Sequence, residues 1–110
     1  VAEGHGSWYI HVLQPNQYDI GSKVLSPKEW EVAFDETLPI AAAVRSGYPL
    51  LRRAGEELRN GGEYFHDFSM IFRGVSQSLY VDTCCHFYPE GVKTFATAIG
   101  RAMRSDIEGK

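Results

Sequence analysis

The segment Tyr80-Val81-Asp82-Thr83-Cys84-Cys85-His86-Phe87-Tyr88-Pro89-Glu90-Gly91 constrains the fold most. It begins inside an apolar run, Leu79-Tyr80-Val81, that reads as a short buried strand. It ends on Pro89-Glu90, and proline suits the first position of a helix because its missing N–H would be unpaired there anyway. A strand that hands over to a helix through a short loop is a unit of open α/β sheets, which keep their chemistry at that handover. The loop here carries an acid and a histidine.

Those two residue types make up the base half of a hydrolytic triad. A neutral imidazole takes a proton from a hydroxyl near pH 7. It does so well when a carboxylate on its other ring nitrogen fixes the tautomer and stabilises the imidazolium. His86 is accordingly a candidate general base and Asp82 its orienter. The plainer alternative is that Asp82 caps a turn and His86 is an ordinary loop histidine. A third reading makes Cys84 or Cys85 a nucleophile with His86 as its base.

The rest of the chain reads as alternating strand and helix. Residues Val1 to Ser7 are Gly-rich and polar, a loop. Trp8 to Leu13 is a nearly continuous run of aromatic and β-branched residues, the pattern of a parallel strand covered on both faces. The polar stretch from Gln14 to Lys23 leaves the C-terminal end of that strand. Gln14 and Asn16 are therefore candidate substrate contacts, or residues that close a turn. Ser26-Pro27-Lys28-Glu29 spells a capping box, with Trp30, Ala33 and Phe34 on one face behind it. A second helix starts near Thr37-Leu38-Pro39 and carries Ile40, Ala41 and Val44. Gly47-Tyr48-Pro49 predicts a break or kink. Leu50, Leu51, Ala54 and Leu58 then share an apolar face, and Arg45, Arg52, Arg53 and Arg59 mix with Glu56 and Glu57 as a solvated one. Asn60-Gly61-Gly62 stops the helix. Tyr64 to Ser69 reads as a short strand and turn, with Asp67 in an Asx-turn, and Met70-Ile71-Phe72 as one helical turn. The last helix is expected from about Pro89 to Arg104, its core face marked by Val92, Phe95, Ala96, Ile99 and Met103, with a frayed tail after it.

Composition excludes several function classes. The net charge is −3 with no basic stripe, which argues against nucleic-acid binding. No apolar run approaches the roughly 20 residues that span a bilayer. A hydrophobic share of 44 % in 110 residues is enough to bury a core. The adjacent Cys84 and Cys85 cannot form an ordinary structural disulfide without strain. They lack partner ligands at metal-site spacing. They read as free thiols, at least one of them packed against the core, as a reducing compartment favours. No metal or cofactor is implied.

Tyr-Val-Asp-x-Cys-Cys-His-Phe-x-Pro-Glu-Gly followed by an amphipathic helix resembles the last sequence block of the SGNH (GDSL-like) hydrolases. Tyr9-Ile10-His11-Val12-Leu13-Gln14-Pro15 is similar to the family's late core strand, and Phe65-His66-Asp67-Phe68-Ser69 to its segment before the last block. The family spaces its triad Asp and His as Asp-x-x-His; here the two are four apart. The resemblance implies a three-layer α/β/α flavodoxin-like parallel sheet, of which residues 1–110 are the C-terminal part. It implies a serine esterase acting on a small ester, such as an acylated carbohydrate or lipid, with Asp82 and His86 as its catalytic pair. The nucleophilic serine and oxyanion donors are expected in an N-terminal half, because Gly6-Ser7-Trp8 has no Gly-x-Ser-x-Gly frame. The exposed sheet edge would be covered by that half or by another chain. The alternative is a non-catalytic α/β binding or scaffold module.

Overall fold

The structure, a computed structural model, describes residues 8–109. The loop expected over residues 1–7 lies outside the described residues. Strand β1 (Ile10–Leu13) and strand β2 (Tyr64–Asp67) pair in parallel, Ile10 opposite Tyr64 and Leu13 opposite Asp67. The pairing continues one step further, where Phe68 N–H donates to Leu13 C=O at 2.9 Å. Parallel strands need a long crossover. It is supplied by α1 (Pro27–Val32) and α2 (Pro39–Asn60), and a last helix, α3 (Pro89–Glu108), follows β2. The chain is thus mixed α/β, with a two-stranded parallel sheet and three helices among the described residues.

Helix α1 begins as its residues dictate. Ser26 Oγ accepts the Glu29 N–H at 3.1 Å, and Glu29 Oε1 accepts the Ser26 N–H at 2.9 Å. The same carboxylate then reaches beyond its own helix. Oε1 also takes Lys23 Nζ at 2.6 Å, and Oε2 takes the N–H groups of Leu79 and Tyr80, each at 3.0 Å. Glu29 is fully buried. Burial pushes its carboxyl up, but the Lys23 ammonium and the three N–H donors outweigh that and hold it below the ordinary carboxylate value.

This changes the expected strand at Leu79-Tyr80-Val81. The segment is buried, with Leu79 at 1 % and Tyr80 at 0 % exposure, but it forms no ladder with the sheet. One oxygen of Glu29 draws the N–H groups of both Leu79 and Tyr80, whereas in a strand consecutive N–H groups point to opposite sides. What remains is a single antiparallel bridge from Tyr80 to Phe87.

Helix α2 also departs from expectation. It runs unbroken through Gly47-Tyr48-Pro49. Tyr48 fastens that turn from inside: its ring is buried and its hydroxyl donates to Gln14 C=O at 3.0 Å. The buried row is Ala41, Val44, Tyr48 and Gly55, whereas Leu50, Leu51 and Leu58 are exposed. Arg52 follows the buried row rather than a solvated one, and grips Asp19 with two bonds of 2.8 and 3.0 Å. Gly55 faces the Phe65 ring so closely that a methyl group there would overlap it. The helix stops at Asn60, and Gly62, at φ +92°, turns the chain into β2.

Neighbouring residues on a strand point to opposite faces. On β2, Phe65 meets α2, while the next residue, His66, bonds Asp106 of α3 through Nε2 at 2.7 Å. The core falls into two clusters. One joins the sheet to α2 through Leu13, Tyr18, Ala41, Val44, Tyr48 and Phe65. The other gathers Leu25, Ala33, Phe72, Leu79 and Tyr80, and the half-buried Phe34 packs against both. Trp30, expected on the inner face of α1, is exposed and meets only the edge of Phe34 among the described aromatic rings.

Helix α3 is longer than expected and does not fray at Arg104. Its expected apolar face is only partly covered: Phe95 packs edge-on against Phe68 and Phe87, while Val92 and Met103 are exposed. Gly91 presses on Phe87, where a Cβ would lie 2.9 Å from the Phe87 Cβ. No helix among the described residues is long and apolar enough to cross a membrane.

Two stability outcomes follow from these contacts. Glu29→Gln leaves buried donors unpaired and should cost about 3 kcal/mol in urea unfolding. Because the folded-state pKa of Glu29 is lowered, its contribution is complete above the ordinary carboxylate pKa and is lost as pH falls through the lowered value. The acid limb of the stability profile should therefore flatten in Glu29→Gln. Gly55→Ala gains helix propensity but overlaps Phe65, and should lose about 1–3 kcal/mol by the same assay.

Candidate functional site

The loop from Val81 to His86 closes on itself. Val81 N–H donates to His86 C=O at 3.0 Å, and Tyr88 N–H donates to Leu79 C=O at 2.7 Å. The reversal passes through Cys85, whose φ of +70° is left-handed, a conformation that non-glycine residues adopt at some cost. It is the one non-glycine residue with positive φ among those described. This turn lets a spacing of four bring the two candidate residues together: His86 Nδ1 lies 2.6 Å from Asp82 Oδ2. The other carboxylate oxygen accepts the Cys84 N–H at 3.0 Å. Partial desolvation pushes the Asp82 carboxyl up, but the His86 ring and the Cys84 N–H outweigh that and hold it below its ordinary value. The pair is accordingly an ionised acceptor on a ring nitrogen.

The imidazole lies on the surface, with 76 % of its side chain exposed against 45 % for Asp82. Its Nε2 has no hydrogen-bond partner among the described residues. Two clefts lie elsewhere. One, of about 340 Å³, is lined by Arg59, Glu63, Tyr64, Phe65, His66 and Asp106. The other runs along α3 between Glu90 and Arg101. Neither includes Asp82 or His86.

The loop after β1 holds the pair in place. Gln17 is buried and uses both ends of its amide: Nε2 donates to Asp82 C=O at 2.9 Å and to Ala33 C=O at 3.1 Å, while Oε1 accepts the Cys85 N–H at 3.1 Å. Tyr18 adds a 2.7 Å bond from its hydroxyl to Thr83 C=O. Sequence reasoning passed over both residues, since nothing local marks a glutamine that acts 65 residues away. The signal was its place in the polar loop leaving a parallel strand.

The two expected substrate contacts differ from one another. Asn16 is buried: its Oδ1 accepts the Tyr18 N–H at 2.9 Å, the turn-closing role, and its Nδ2 faces Cys85 Sγ at 3.7 Å. It therefore sits beneath the loop. Gln14 keeps its side chain in solvent and gives its carbonyl to Tyr48. Asp67 accepts the Ser69 N–H at 2.9 Å, the Asx-turn geometry expected of it.

Both cysteines are free, Cys84 exposed and Cys85 half-buried, with sulfurs 2.8 Å apart. Burial and the neighbouring thiol push the Cys85 thiol up to about 12, which keeps it protonated near neutral pH while Cys84 stands beside it as a free thiol. No group of three His, Cys, Asp or Glu suited to a metal ion occurs among the described residues. A second Asp–His pair, His66 with Asp106, is more buried, at 24 % and 14 % exposure. Its partners are 40 residues apart, which hid it from any reading of local motifs.

Comparison with family models, with curated proteins and with solved structures finds no match to this chain.

Gln17 offers a direct test of how the loop is held. Gln17→Ala removes one acceptor and two donor bonds, so amide hydrogens of residues 82–86 should exchange at least about tenfold faster, given roughly 1–3 kcal/mol for a buried partner left unpaired. The amides of β1 should exchange as before.

Proposed function

We propose that this chain supplies the base half of a serine ester hydrolase of the SGNH kind. One observation carries the reading: the His86 ring takes the Asp82 carboxylate on Nδ1 and leaves Nε2 toward solvent. That is the orientation in which an imidazole accepts a proton from a serine hydroxyl and later returns it to the leaving alcohol. The serine and its oxyanion donors would come from an N-terminal half of the same domain, and the acyl group would pass through a covalent acyl-enzyme. The substrate class is a small ester, such as an acylated carbohydrate or lipid. Gln14, solvent-facing at the end of β1, is a candidate contact to it.

The three-layer flavodoxin-like reading belongs to this proposal. Support comes from the parallel strands and from Phe65 and His66, which reach helices on opposite faces of the sheet. Further support comes from apolar side chains left in solvent: Leu50 and Leu51 on α2, Val92 and Ile107 on α3. A missing half or another chain would cover these together with the open sheet edge.

A second reading, a non-catalytic α/β binding or scaffold module, is favoured by the exposure of the pair. Labelling decides between them. In the full-length protein a fluorophosphonate probe should label one serine upstream of Val1, and His86→Ala should abolish labelling and slow ester hydrolysis by at least about a thousandfold. Asp82→Ala should cost less, as an orienter does. Full-length protein in which no serine is labelled belongs to the second reading.

A further inference from the structure

We propose that Cys84 and Cys85 are a redox modification site, closing into a reversible vicinal disulfide that resets the Asp82–His86 pair. The sulfurs are 2.8 Å apart on side chains that already converge. Closing a disulfide of about 2.05 Å from there takes a movement of less than about 1 Å. The turn that brings them together passes through Cys85 at φ +70°. Alpha carbons across one trans peptide are about 3.8 Å apart, below the usual span of a disulfide, so the closed ring is strained and readily reduced. That suits a switch rather than a permanent cross-link.

The two sulfurs divide the chemistry by position. Cys84 is exposed and can meet a small-molecule disulfide such as oxidised glutathione. Cys85 is half-buried against the more deeply buried Asn16 and Gln17, and its thiol is held protonated while Cys84 is free. The Cys84 thiolate attacks one sulfur of the oxidant, whose S–S bond breaks and releases one thiolate. With Cys84 in the mixed disulfide, one of the causes that hold Cys85 protonated is removed; Cys85 loses its proton to solvent, its thiolate attacks Cys84 Sγ, and the second thiolate leaves. Two protein thiols and one small disulfide become one protein disulfide and two small thiols, with two electrons transferred to the oxidant.

The dyad responds because it shares these atoms. The Cys84 N–H donates to Asp82 Oδ1, and Asp82 Oδ2 holds the imidazole. The Cys85 N–H is held by Gln17. Drawing the sulfurs together turns the Cys84–Cys85 peptide, whose N–H Gln17 holds, and with it the backbone at Cys84; Gln17 also donates to Asp82 C=O, so the move reaches the acid both through Gln17 and through the Cys84 N–H that sets its plane. The inference does not depend on the esterase reading, since it concerns thiols and a histidine ring whatever they serve.

The test uses the 110-residue chain with oxidised glutathione, followed by mass spectrometry, thiol titration and nitrogen NMR of the histidine rings. The expected result is loss of two hydrogen masses and of both titratable thiols. The His86 ring resonances should move with it, and reductant should restore all three. Cys85→Ser should stop at a glutathione adduct on residue 84. A wild-type chain that keeps a stable adduct on Cys84, or that does not react, overturns the disulfide. A disulfide that forms with the His86 resonances unchanged overturns its link to the dyad.

Discussion

A carboxylate removed from water needs several donors at once, and Glu29 draws them from three parts of the chain. Its own helix start gives one N–H, the preceding loop gives the Lys23 ammonium, and a segment fifty residues later gives two more N–H groups. An isolated buried charge would cost many kcal/mol, so the arrangement is tolerable only when complete. This makes the docking of α1 and the shape of the segment before the Asp–His loop one event. The buried lysine that completes it would be equally costly alone. Neither partner can be altered without exposing the other to that penalty.

The Asp82–His86 pair inherits its geometry from this framework. Its base is fixed by Glu29 through Leu79 and Tyr80, and its flank by Gln17 and Tyr18 from the loop after β1. Aromatic packing of Phe87 against Phe72, Tyr80 and Phe95 secures the exit into α3. The two side chains themselves reach solvent. A rigid support beneath exposed groups is what a site completed by another surface requires, whether that surface brings a nucleophile or a binding partner.

Much of the local structure was legible in the residues. The capping box at Ser26, the glycine stop after Asn60, the Asx-turn at Asp67 and the first strand all rest on short-range chemistry, and they stand where that chemistry puts them. The approach of Asp82 to His86 was legible for the same reason. What misled was periodicity where two registers compete. Leucines at 50, 51 and 58 looked like the inner face of α2, but Gly55 and Arg52 set the register, one by admitting the Phe65 ring and the other by reaching Asp19. The apolar run before Asp82 looked like a strand, but a distant glutamate took its donors. Gln17 and the His66–Asp106 pair carry no local mark because their partners lie 65 and 40 residues away.

The bonds from Glu29 to residues 79 and 80 bear on whether the motif is portable. Residues 79 to 88 form a closed loop that looks self-contained, a candidate for grafting onto another scaffold. Yet the two amides at its root are oriented by a side chain half the molecule away. Excised as a peptide, or moved without a buried acid to receive those amides, the loop would keep its letters and lose its form. The recognisable string is the visible end of a device whose other end sits at the start of the first helix.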